Sequence, residues 1–203
     1  LETRGVHGLA FWNNGFKQLT SNKAIRKVED FKGQKIRIVS SKVIESQMRS
    51  VGALSQVMAF GDLYTALQTG VVDGQENPTN VIYPTKLYEV QKYMTLSDHS
   101  YHGYAVVTNP KFWAGLPPNI RTALESAMAE TTEYFHAATV KENQDGLDAI
   151  RKSGKTQILA LTPEERKGWK KAMAKTHEEM ADRIGRPFLQ SVHKETNFDP
   201  TKL

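Results

Sequence analysis

Phe60-Gly61-Asp62-Leu63-Tyr64-Thr65-Ala66-Leu67-Gln68-Thr69-Gly70-Val71-Val72-Asp73-Gly74-Gln75-Glu76-Asn77-Pro78 decides the fold class, because one short run joins a helix, its stop signal and a sheet segment. Leu63, Ala66 and Leu67 share one helical face, and Gly70 stands where a left-handed helix terminus is expected. Val71-Val72 then reads as a brief buried strand. The residues that follow, Asp73 to Pro78, are polar and turn-forming and read as a strand-end tip. Open α/β sheets bind ligands where strands end, so amides and a carboxylate just ahead of a proline are candidate contacts. An ordinary solvated loop is the alternative for the same residues.

Working towards the N-terminus, Leu54–Met58 reads as a strand, and Ser41 as the cap of a helix through Val43, Ile44, Gln47 and Val51 that Gly52 closes. Gln34–Val39 is a strand with Ile36 and Ile38 facing the core and Arg37 the opposite side, preceded by a helical turn at Glu29–Gly33. The alternation from Lys35 to Gly74 is a βαβ signature, which implies an α/β fold with mostly parallel pairing and right-handed crossovers. Further out, Gly8–Trp12 and Phe16–Ser21 read as strands on either side of an Asn13-Asn14-Gly15 turn.

Towards the C-terminus, Leu87, Val90 and Met94 predict a helix over Tyr83–Met94 with one buried stripe, and Tyr101–Val107 predicts a strand. Pro117-Pro118 opens a helix that runs to a stop at Gly154, a reach of about 50 Å at 1.5 Å per residue. Such a helix either bends or bridges two lobes. Thr156–Leu161 is a further strand, and Thr162-Pro163-Glu164-Glu165 combines an N-cap, a first-turn proline and a capping box. The helix it opens is predicted to reach Ile184, with a stop at Gly185 and a last helix from Pro187 to Val192.

At 203 residues the chain suits one or two domains. No apolar run approaches the roughly 20 residues of a membrane-spanning helix. Lys and Arg number 27 against 22 Asp and Glu, a formal charge of +5 that favours anionic partners. The basic residues are dispersed among glutamates on helical segments, so no nucleic-acid partner is expected. With no cysteine, disulfides and thiolate chemistry are excluded. Leu1–His7 lacks the charged and apolar regions of a signal peptide.

His99 and His102 lie three apart, which in a strand sets them on opposite sides, and no third ligand is spaced to join them; no metal is expected. No nucleophile elbow, phosphate loop or dinucleotide motif occurs, so neither catalysis nor a cofactor is expected. Arg37 is the strongest candidate. A guanidinium fixed on a strand holds a carboxylate through two parallel hydrogen bonds, although a structural ion pair is equally open. Phe60 offers an apolar wall, and Gln75 and Asn77 offer amides, along the same sheet edge.

Asp30–Ile38, Gly52-Ala53, the run Met58–Pro78 and Tyr88–Tyr93 together resemble the DctP-type solute-binding proteins of TRAP (tripartite ATP-independent periplasmic) transporters. The resemblance spans essentially the whole chain. It implies a periplasmic receptor with a periplasmic-binding-protein-like fold of two α/β lobes and a long helix crossing both. Such a receptor closes on a small organic acid, a dicarboxylate or sialic-acid-like ligand, and delivers it to a membrane permease. The family's carboxylate-clamping arginine matches Arg37, its amide contact Asn77, and its aromatic contact Phe60. A second basic contact, commonly arginine, falls on Lys17, which lacks the planar fork. Ser40 and His99 match ligand-dependent contacts.

The resemblance further implies roughly a hundred residues ahead of Gly8, the size of a small domain. On that basis residues 1–15 form a hinge strand, 16–102 the second lobe, 103–142 a remnant of the first lobe with the bridging helix, and 143–203 a return to the second lobe. A remnant lobe is expected to expose apolar surface and to favour self-association. Two other functions fit the same fold: a ligand-sensing domain in signalling, and an α/β enzyme acting on a carboxylate.

Overall fold

The computed structural model describes residues 1–203. In chain order, β1 (His7–Phe16) and β2 (Gln18–Ser21) lead into β3 (Lys35–Ile38), α1 (Lys42–Ser50), β4 (Leu54–Val57), α2 (Leu63–Gln68), β5 (Gly74–Asn77) and the short α3 (Thr79–Ile82). There follow β6 (Tyr93–Leu96), β7 (Tyr101–Thr108), α4 (Pro110–Ala114), α5 (Pro118–Ser153), β8 (Gln157–Ala160), α6 (Pro163–Met173), α7 (Lys175–Glu179), α8 (Ala181–Ile184) and α9 (Arg186–Glu195). Six strands form one sheet in the order β4-β3-β5-β2-β6-β8, and β1 and β7 form a separate antiparallel ribbon. Strand β3 pairs in parallel with β4 and β5, as the βαβ alternation predicts. Strand β2 runs antiparallel to β5 and β6, which makes the whole sheet mixed.

Both faces of this sheet are covered. On one, Leu19, Ile36 and Ile38 pack with Phe31, Met48 and Trp169. On the other, Leu63, Ala66 and Leu67 of α2 pack with Val72, Leu87, Met94 and Ile150. Each such buried aliphatic chain contributes about 1.5–3 kcal/mol over an exposed one. The capping box at Thr162 and Glu165 forms as predicted and starts α6, which delivers Trp169 to the first core.

The long helix is continuous. Its 36 residues span about 54 Å. Its N-terminal part lies on the ribbon, where Trp12 stacks on Phe135 with ring centroids 4.7 Å apart and donates to Thr132 Oγ1. Its C-terminal end buries Ile150 against the sheet. Around the ribbon Phe11, Val107, Phe112 and Leu124 remain exposed.

Four predicted elements are corrected. Val71-Val72 is a bend, because the Val71 amide closes α2 by donating to Ala66 O while Gly70, at φ 74°, donates to Leu67 O; the strand is the polar Gly74–Asn77. Asn13-Asn14-Gly15 continues β1 through a register irregularity instead of turning. Tyr83–Met94 is no helix: Pro84 and left-handed Lys86 (φ 58°) interrupt it, and Leu87 and Met94 reach the core from a 3-10 turn and from β6. The segment from Pro163 to Ile184 is three helices, whose breaks let Met173, Thr176 and Ala181 all turn inward.

Candidate functional site

β5 lies between β3 and β2, in the middle of the sheet, and all four of its residues, three of them polar, are buried. The solvated-loop alternative is therefore wrong. A buried polar strand must satisfy its side chains internally, and the register specifies how. Gln75 stands beside Arg37 on β3 and Thr20 on β2, and donates to Thr20 Oγ1 at 3.0 Å. Asn77 Nδ2 donates to Gln75 Oε1 at 2.5 Å. Thr20 in turn donates to Gln91 Oε1 at 3.0 Å. Gln75 is wholly enclosed and both ends of its amide are used, so it supports Asn77.

Arg37 is buried, yet it has no carboxylate partner. Its Nε and Nη2 both donate to the carbonyl oxygen of Met58, at 3.0 and 2.7 Å, just past the end of β4. Its Cζ lies 5.7 Å from the centre of the Phe60 ring, a cation–π contact. Burial holds the guanidinium below its ordinary pKa while the Glu76 charge opposes the shift; an arginine remains cationic throughout. The structural ion pair left open by the sequence does not form, and Nη1 donates to no protein atom. Phe60 begins a 3-10 turn and is 46% exposed, forming an open wall beside the cation. Ser40 lies exposed in the bend after β3.

Lys17 and His99 meet on Glu76. Lys17 Nζ is 2.6 Å from Glu76 Oε1, and His99 Nε2 is 3.5 Å from Glu76 Oε2, with all three side chains almost fully enclosed. Ser97 Oγ lies 2.7 Å from His99 Nδ1, and the buried Nε2 edge of the ring stands beside Glu76 Oε2 without completing a hydrogen bond. Burial pushes the Glu76 carboxyl up, but the His99 contact and the Lys17 ammonium outweigh it and hold it below the ordinary value. His102 parts from His99 and lies near Asn14 and Tyr104, with burial and the Lys17 charge lowering its pKa. No three His, Cys, Asp or Glu side chains come together as a metal site.

The structure thus brings Arg37, Phe60, Gln75 and Asn77 to one end of β3, β4 and β5, and sets Lys17 and His99 on a shared carboxylate. Two roles escaped the sequence. The Met58 carbonyl is a backbone group and leaves no side-chain signal. Glu76 reads in the sequence as a tip carboxylate with no partner to share a site; once Gly74–Asn77 is a central strand, a buried carboxylate demands a cation, and Lys17 lies just before the paired strand β2.

A sequence model of the DctP family, bacterial extracellular solute-binding protein family 7, matches residues 1–184. The C4-dicarboxylate-binding periplasmic protein DctP of Rhodobacter capsulatus is 48% identical over 196 residues, covering 97% of this chain and 59% of its own length. A TRAP periplasmic solute-binding protein from Shewanella oneidensis, solved with bound succinate, superposes with a TM-score of 0.91 at 32% identity, over 93% of this chain and 62% of that one. Another from Sulfurospirillum deleyianum, also with bound succinate, gives 0.88 at 41% identity, over 94% and 63%. The chain therefore spans about three-fifths of the length of these relatives.

Proposed function

The chain belongs to the DctP family of bacterial extracellular solute-binding proteins, and from that membership we propose that it is the anion-clamping part of a periplasmic receptor for a small dicarboxylate. The receptor delivers its ligand to the membrane permease of a TRAP transporter and performs no chemistry on it. One observation carries the assignment: a buried arginine at a strand end whose only protein acceptor is a backbone carbonyl. A buried guanidinium normally finds a carboxylate in its own chain. Arg37 lacks one, so a ligand carboxylate supplies the missing charge through Nη1 and the remaining Nη2 hydrogen, a charge-assisted arrangement that favours planar anions.

Phe60 covers one side of that anion, and the Asn77 side-chain Oδ1, which accepts no hydrogen bond within the chain, is free for a hydroxyl or another donor of the ligand. Lys17 and His99 act one step back: their contacts with Glu76 fix the strand end that carries Asn77. A C4 dicarboxylate is favoured because relatives on both comparisons carry that name or bound succinate. Mass spectrometry of organic acids released from the native protein on denaturation is expected to recover a four-carbon dicarboxylate. Recovery of a neutral or cationic solute in stoichiometric amount contradicts the assignment.

A further inference from the structure

Where β5 leaves the sheet, three separate parts of the chain converge on the side chain of Asn143, in α5. Its Oδ1 accepts from Thr79 Oγ1 and from the Asn80 backbone N–H, both at 3.1 Å. Its Nδ2 donates to the backbone carbonyls of Asn14 in β1, at 3.1 Å, and of Thr139 one helical turn back, at 3.0 Å. Every hydrogen-bonding position of the amide is used. Thr79 Oγ1 also reaches the Asn143 carbonyl, at 2.6 Å.

The backbone is shaped around this joint. Gly146, one turn further along the same face of α5, abuts Thr79 so closely that a Cβ would lie 2.8 Å from the Thr79 carbonyl oxygen. Gly15, at φ 94°, sits where a Cβ would lie 2.8 Å from Asn143 Nδ2. Asn14 extends the contact, accepting from Asn80 Nδ2 at 2.8 Å and donating to Tyr104 OH at 2.9 Å on the ribbon's other strand. An Asn-to-Asn-to-Asn joint thus ties the long helix, the ribbon and the start of α3 together.

Only Pro78 separates Thr79 from Asn77. Its ring fixes φ, here −65°, so a displacement of Thr79 passes to Asn77 with little slack. We propose that Asn143 is a positioning residue: it sets the Asn77 amide for the ligand and couples that setting to the ribbon, so that strand end, ribbon and helix move as one on binding. Asn143 itself touches no ligand. The ligand part of this claim rests on the receptor function proposed above; the coupling part does not.

Two measurements on the complete native protein test it. In succinate titration calorimetry, Asn143→Ala is expected to raise Kd at least tenfold, and the Asn77→Ala/Asn143→Ala double variant to match Asn77→Ala within twofold. Multiplying effects, or an Asn143→Ala affinity within twofold of wild type, overturn the positioning role. Hydrogen–deuterium exchange without ligand is expected to quicken in Asn143→Ala at both residues 12–16 and 74–82 while β3 and α1 keep their protection. Unchanged exchange at either segment, or a uniform increase everywhere, overturns the coupling. Thr79→Val, which removes one donor only, is expected to quicken 74–82 and serves if Asn143→Ala does not fold. Should the wild-type protein fail to bind succinate, the dicarboxylate assignment falls and the exchange data alone decide the joint.

Discussion

Glu76 carries opposite demands: burial favours its neutral form, while Lys17 and His99 favour the anion and prevail. A carboxyl depressed in the folded state adds stability that is complete above its unfolded pKa, near the ordinary 4.5, and is lost as pH falls through the folded value. Glu76→Gln is therefore expected to flatten the loss of stability on acidification below about 4.5 in urea denaturation. It is also expected to cost about 3–5 kcal/mol at neutral pH, because Lys17 is left buried without a counter-charge. An unaltered acid limb would remove Glu76 from the titration. At this scale the sequence pointed to side chains that the fold gathers at one sheet end, and misjudged some of their surroundings. Arg37 on the face opposite Ile36 and Ile38 follows from strand periodicity, and its approach to Phe60 from the shared sheet edge. The pairing of Lys17 and His99 with Glu76 depends on where β2, β5 and the segment before β7 meet, which no local pattern encodes.

At the level of elements, strong local chemistry was legible and competition between signals was not. The capping box at Thr162, the glycine stop of α2 and the proline-opened α5 form as their residues dictate. The strand placed at Val71-Val72 fails because the helix terminus claims the amide of Val71, and the helix over Tyr83–Met94 fails because a correct apolar spacing is cut by Pro84. Close packing of α5 on α3 supplies a contrast between two glycines. Gly146→Ala gains about 1 kcal/mol of helix propensity but forces a Cβ onto the Thr79 backbone, a clash worth about 1–3 kcal/mol. Gly168, in α6, has nothing within 4 Å of where its Cβ would stand. Urea denaturation is expected to show Gly146→Ala less stable than wild type and Gly168→Ala more stable by up to about 1 kcal/mol; equal gains at both would show that the helices have room to part.

Across the whole molecule, α5 packs along the ribbon and buries Ile150 in the core under the sheet, and the candidate anion site lies at the sheet end nearest their joint. The α/β class and the bridging helix were both readable, the first from βαβ alternation and the second from an uninterrupted helical pattern too long for one small lobe. The antiparallel strands that make the sheet mixed were not, since β2 and β6 are short, buried and polar at several positions. The central claim is that this fold holds a ligand carboxylate on Arg37. Its most direct test is calorimetric titration of succinate into the complete native protein and its Arg37→Ala variant. Saturable binding by the wild type, weakened by at least about 1.5–3 kcal/mol in a variant that stays folded, is the predicted result. Equal affinity in the two proteins would contradict it.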